Sequence, residues 1–269
     1  MRRVAALALI TFKEGIRNRS LFGILFFSLF MLGLNVAVAG FFMREIGKVT
    51  VDMNLSALSF SGLLLVLFVG VNLMAKDIDR KTIHLVLSKP ISRIEYLWGK
   101  YLGIVWFVLV SLSVLLFFSS VTVFGLRALY PVYFGNFSWL VFFQACIFIF
   151  VKLAVLSSIV VFFSAITTSS FLTLVLGICS YIVGEAIEEV VFYLKSGLSG
   201  DSFPVYMQKF IDLVSFVFPN FSVFDFKLEA AHGLAIASDR LVFSLGYAAV
   251  YVTILLVCGS IIFSRREFN

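Results

Sequence analysis

Charged residues are scarce in this sequence. Asp, Glu, Lys and Arg supply 13% of its 269 residues, while apolar types supply 61%. With a mean hydropathy of +1.08, a soluble domain of this length could not cover so much apolar surface. The composition is that of an integral membrane protein. Cysteine is sparse too: Cys146, Cys179 and Cys258 are far apart and lie in apolar segments. They indicate no disulfide framework and read as small hydrophobes. The two histidines, His84 and His232, have no clustered Cys or acidic neighbours, so no metal site is expected. The phosphate-cradling pattern G-x-x-x-x-G-K-[S/T] is absent, since Gly99-Lys100 is followed by Tyr101. No polar stretch is long enough for an ATPase domain, no Ser-His-Asp arrangement can be argued, and no internal repeat is evident. The formal charge of +6 reads as Lys and Arg retained beside a membrane rather than as a nucleic-acid surface.

What is present is a series of long apolar runs. Six spans are expected, at about Leu21–Phe42, Leu55–Ala75, Tyr101–Leu126, Trp139–Phe163, Ala165–Gly184 and Leu241–Phe263. Spans four and five form a hairpin through a tight turn at Thr167–Ser170. Ala37-Val38-Ala39 resembles a cleavage site, but the apolar stretch before it has the length of a span, about 20 residues, rather than the 7–15 of a signal core. It reads as a retained span. Placing both termini inside puts five Lys and Arg on residues 1–19, six on residues 76–100, and Arg265 and Arg266 at the end; the outer connections hold seven. That asymmetry predicts cytoplasmic termini. Before the first span, Val4, Leu7, Ala8 and Thr11 share one helical face, which reads as a helix lying in the interface. Between Glu185 and Arg240, interrupted by Pro204 and Pro219, short external or re-entrant helices are expected.

The charged loop from Lys76 to Gly103, KDIDRKTIHLVLSKPISRIEYLWGKYLG, has an internal design. Ile83, Val86 and Leu87 form one apolar edge of a short helix, and Lys81, His84 and Ser88 its polar edge. Pro90 stops that helix. Ser92 with Glu95 is a capping box that starts the next. An exposed amphipathic element of this kind can dock on a soluble partner.

Lys152 is the one charge deep inside a span, where it costs about 2.5–3.5 kcal/mol or more. It lines a cavity or contacts substrate, makes a structural hydrogen bond, or snorkels past a shifted span boundary. Its replacement by Met is expected to leave insertion intact or improved. Glu185, Glu188 and Glu189 recur at i, i+3 and i+4, as a solvated face or as an acidic mouth. Asn35, Asn72 and Gln144 read as amides that glue helices together.

Several segments resemble the membrane subunit, or permease, of type-2 export-class ABC transporters. They are TFKEGIRNRSLFG at Thr11–Gly23, DRKTIHLVLSKPISRIEYLWGKYLG at Asp79–Gly103, FPNFSVFDFK at Phe218–Lys227 and FSRREF at Phe263–Phe268. The resemblance implies an all-α membrane protein, a single permease domain over residues 1–269, with six transmembrane helices, an N-terminal interfacial helix, a cytosolic coupling helix and short external helices between spans five and six. It implies that Asp79, Arg80, Thr82, Ile83, Val86, Leu87 and Ser88 dock on a separate ATP-binding cassette subunit. Mg-ATP would bind in that partner, with no cofactor in this chain. A second permease subunit, identical or paralogous, and the plasma (inner) membrane complete the implied setting, with Lys152 a possible pathway residue. The rival readings are a secondary transporter without an ATPase, against which the lack of a repeat counts, and a membrane assembly or scaffold subunit.

The topology is testable by labelling. Single cysteines replacing Ser88 and Ser199 in a cysteine-free background should react with an impermeant reagent from opposite sides of the membrane. Labelling of both on intact cells would overturn the six-span arrangement.

Overall fold

The computed structural model describes residues 2–39, 41, 45–74, 91–195 and 205–266. Helix α1 (Arg2–Ile16) precedes α2 (Arg19–Ala39). Then follow α3 (Ile46–Met74), α4 (Arg93–Leu129), α5 (Trp139–Ile166) and α6 (Ser170–Lys195). The short helices α7 (Val205–Val217) and α8 (Lys227–His232) flank a 3₁₀ turn at Phe221–Phe224, and α9 (Ser238–Arg265) closes the chain. Among the described residues no strand occurs, and six helices, α2 to α6 and α9, are long and apolar enough to cross a membrane. A helix satisfies its backbone groups internally, which is what permits these apolar runs to span lipid.

The span ends differ from the sequence expectation for physical reasons. α3 starts at Ile46 rather than Leu55 because its polar first turns find partners inside the bundle. The Asn35 amide of α2 donates to the Thr50 carbonyl at 3.1 Å, and Ser119 of α4 donates to the Asn54 side chain at 3.0 Å. α4 starts at Arg93 rather than Tyr101 because the capping box forms: Ser92 Oγ accepts from Glu95 N at 3.1 Å and Glu95 Oε2 from Ser92 N at 2.9 Å. Span five is shifted most. Ala165 is still within α5, and α6 runs from Ser170 past Gly184 to Lys195. The turn between them is as short as expected, closed by Thr167 N donating to Phe163 O at 2.9 Å and by the Thr167 and Thr173 hydroxyls at 2.6 Å. α3 contains a π-helical turn, Leu65–Gly70, buried except at Phe68.

α3, α4 and α5 form the centre, while α2, α6 and α9 are mostly exposed. Both termini lie at one end of the bundle. There α1 packs on the first turns of α4, and Arg93 reaches the end of α9. At the other end Gly47 meets the Tyr133 carbonyl, and Gly233, at φ 66°, meets the Asn136 carbonyl.

The face of α1 that carries Leu7 and Thr11 meets protein. A Cβ on Gly99 would lie 2.7 Å from Leu7 Cβ, and one on Gly103 would lie 2.6 Å from Thr11 Cβ and 2.8 Å from the Ala8 carbonyl. Gly99 and Gly103 are a G-x-x-x-G pair, which lets two helix backbones approach closely. The large apolar residues that α1 leaves exposed are Leu9, Ile10 and Ile16.

This contact predicts an asymmetry along α4. Gly103→Ala overpacks the α1 seat and should cost about 1–3 kcal/mol, seen as a lower melting temperature in detergent. Gly125→Ala, which meets nothing within 4 Å, should be neutral or mildly stabilising. Equal melting of the two variants would show that α1 is not seated there.

Candidate functional site

Two polar nodes organise the bundle, one at the end where α4 begins and one part-way along α5 and α6. The first lies where α4 begins. Arg93 donates to the carbonyls of Phe263 (3.4 Å), Ser264 (3.2 Å) and Arg266, at the end of α9. Arg266 in turn donates to the carbonyls of Ser164 (3.5 Å) and Ala165 (2.9 Å), at the end of α5, and partial burial lowers its pKa from the ordinary arginine value. The buried Lys100 donates to the Leu73 carbonyl at 2.7 Å, near the end of α3, and lies 3.7 Å from the Glu14 carboxylate of α1. Tyr96 stacks on Phe263 with ring centroids 5.8 Å apart. Helix C-termini carry unsatisfied carbonyls and partial negative charge, so cations there complete the hydrogen bonding and the electrostatics together. The first turns of α4 thus bind α1, α3 and α9 directly, and α5 through Arg266.

From Ile91 onward this is the motif LSKPISR-x-EYL-x-GK seen as structure: Ser92 and Glu95 cap, Arg93 and Lys100 bind carbonyls, Tyr96 stacks, and Gly99 seats α1. The expected docking residues Asp79, Arg80, Thr82, Ile83, Val86, Leu87 and Ser88 lie outside the described residues, as does His84. Met74 and Ile91 are the described residues on either side of them.

The second node surrounds Lys152. This side chain is 4% exposed and forms an ion pair with Glu185 of α6. Its ammonium lies 5.4 Å from the Tyr181 ring centroid and 5.9 Å from that of Phe221, a cation–π enclosure. The segment FPNFSVFDFK closes over the pair. Phe221, Phe224 and Phe226 are buried, and Phe226 packs on Phe148 of α5 at 4.8 Å. Ser222 Oγ donates to the Glu185 carbonyl at 3.4 Å. Only a glycine at 184 admits the Phe221 ring and the Pro219 carbonyl, each 2.5 Å from where a Cβ would stand. α9 holds the same segment and the end of α7: Asn220 N donates to the Tyr247 hydroxyl (3.0 Å), Ser244 Oγ to the Val223 carbonyl (3.0 Å), and the Tyr251 hydroxyl to the Val217 carbonyl (2.7 Å).

The partner of Lys152 is therefore one of the three glutamates grouped by sequence as one face. Glu185 turns inward to the lysine, and the Asn220 amide donates to Glu188 at 3.5 Å. Lys152 and Glu185 lie at almost equal sequence distances from the Thr167–Ser169 turn, and that spacing across a tight hairpin was the available signal. Lys100, Asn54 and Glu185 are the participants that sequence reasoning missed. Among the amides singled out, Asn35 bridges two helices, Asn72 bonds its own helix at Phe68 O (2.5 Å), and Gln144 Oε1 has no partner among the described residues. Among the described residues no group of His, Cys, Asp and Glu could hold a metal ion.

Six helices long and apolar enough to cross a membrane make this a polytopic helical bundle. The chain belongs to the ABC-2 family transporter proteins, whose profile matches residues 5–268. It is thus an ABC transporter permease, the non-catalytic membrane component, and membership implies association with an ATP-binding subunit. No curated relative matches the chain.

Breaking the buried pair should be asymmetric. Glu185→Gln leaves a buried ammonium unpaired and should cost about 3 kcal/mol, the low end for a broken buried pair. Lys152→Met leaves a carboxylate whose side chain is 31% exposed and can hydrate, so its cost should be smaller. The double variant should melt above Glu185→Gln alone. Additive losses in this cycle would show that the two residues do not interact.

Proposed function

We propose that the chain, a single permease domain over residues 1–269, is half of the membrane portion of an ATP-driven exporter. Two such subunits, identical or paralogous, form the translocation pathway in the plasma (inner) membrane, with both termini cytoplasmic. Mg-ATP binds in separate ATP-binding cassette subunits that dock on Asp79, Arg80, Thr82, Ile83, Val86, Leu87 and Ser88. The observation that carries this reading is the node at the start of α4. The docking segment leads directly into it, so a displacement there acts on α9 through Arg93, on α3 and α1 through Lys100, and on α5 through Arg266. Lys152 joins the pathway in this reading only when Glu185 releases it, since it is enclosed while the pair holds.

Ile83, Val86 and Leu87 would supply roughly 1.5–3 kcal/mol each on burial in a partner groove, before the costs of association. Leu87→Asp should insert normally and lose the ATPase subunit during purification. Lys81→Gln, at the polar edge, should change little, because a rim charge mainly alters the association rate. Full ATPase association and full transport in Leu87→Asp would rule out this loop as the coupling element.

A further inference from the structure

The bend between α1 and α2 forms an open groove of about 770 Å³ lined by Ile10, Lys13, Glu14, Arg17, Asn18 and Arg19. Its shape is fixed by the backbone. Asn18 Oδ1 accepts from Ser20 N at 3.0 Å, and Leu21 N donates to the Asn18 carbonyl at 3.1 Å. Lys13, Arg17 and Arg19 are exposed, and among the described residues none has an ion-pair partner. The one carboxylate in the groove, Glu14, is partnered by Lys100. The groove therefore presents three cations around one already engaged anion.

Its depth is set by α2. The apolar run begins at Leu21, within one turn of Arg17 and Arg19, so these guanidinium groups sit where a spanning helix crosses the headgroup layer. Arg19, Phe22 and Phe26 recur at i, i+3 and i+7 and share one face of α2. Phe22 and Phe26 are 64% and 75% exposed, and Ile10 and Ile16 of α1 are also exposed. Cations at headgroup level above an uncovered apolar strip match the two ends of a phospholipid: arginine forks suit phosphate oxygens, and the strip suits an acyl chain.

We propose that this groove binds an anionic phospholipid, with the headgroup phosphate on Arg17, Arg19 and Lys13 and an acyl chain along Phe22 and Phe26. The site does not depend on which side of the membrane the termini face.

The test uses the full chain in phosphatidylcholine nanodiscs doped with phosphatidylglycerol, and reads retained lipid by native mass spectrometry. Wild type should retain phosphatidylglycerol over phosphatidylcholine, less so as salt is raised. Arg17→Gln with Arg19→Gln should lower that retention about tenfold or more, from the attraction of each cation to an anionic headgroup. Arg17→Lys with Arg19→Lys keeps the charge and should retain most binding, which guards against a folding artefact. Lys48→Gln, at the opposite end of the bundle, should leave retention unchanged. Equal retention in the double Gln variant, or equal loss in Lys48→Gln, would overturn the proposal. So would complete displacement of the lipid by millimolar inorganic phosphate, which would make this a site for free phosphate.

Discussion

Two cations, Arg93 and Arg266, bind the carbonyl ends of α9 and α5, a third, Lys100, binds the Leu73 carbonyl of α3, and the rest of the bundle is positioned by that arrangement. Each helix ends with carbonyls that its own backbone cannot satisfy. At a membrane boundary those groups need water or a donor. Here the donors come from neighbouring helices, so satisfying a terminus also fixes a tertiary contact. Arg93 is delivered by the first turn of α4, which the Ser92–Glu95 capping box starts at a defined residue. A local sequence signal therefore sets the register in which helices distant in sequence meet.

The second node solves a different problem. Lys152 is buried midway along α5, so its charge is met within the protein by Glu185 and the faces of Tyr181 and Phe221. The connection between α6 and α9 folds inward to supply that cover. Its aromatic residues enter the core, while its backbone is held by Tyr247, Tyr251 and Ser244 on α9. One node joins helix ends through backbone carbonyls; the other joins helix middles through side-chain charge.

Much of this was legible in the sequence. The apolar runs gave six spans because composition alone decides what can sit in lipid, and Ser92 and Glu95 gave the start of α4 because a capping box is local. Less local features were hidden. Span five was misplaced because Glu185, Glu188 and Glu189 look like a helix end when their partners are unknown, and those partners, Lys152 and Asn220, are remote in sequence. The polar first turns of α3 were set outside the membrane for the same reason. Lys100 read as a boundary charge, since nothing in the neighbouring sequence reveals that the Leu73 carbonyl waits for it. The seat of α1 was written plainly as Gly99 and Gly103, a pattern that was available and went unused.

The short turn between α5 and α6 has a mechanical consequence. Residues 167 to 169 join the two helices at one end, and Lys152 with Glu185 pins them part-way along. Two fastenings on two stiff rods leave no independent sliding or splaying between them. α5 and α6 behave as one lever with its heel at the turn, where Arg266 grips Ser164 and Ala165. A small rotation at that heel is magnified further along α6, beside the pinned pair, where Gly184 carries the buried aromatic cover.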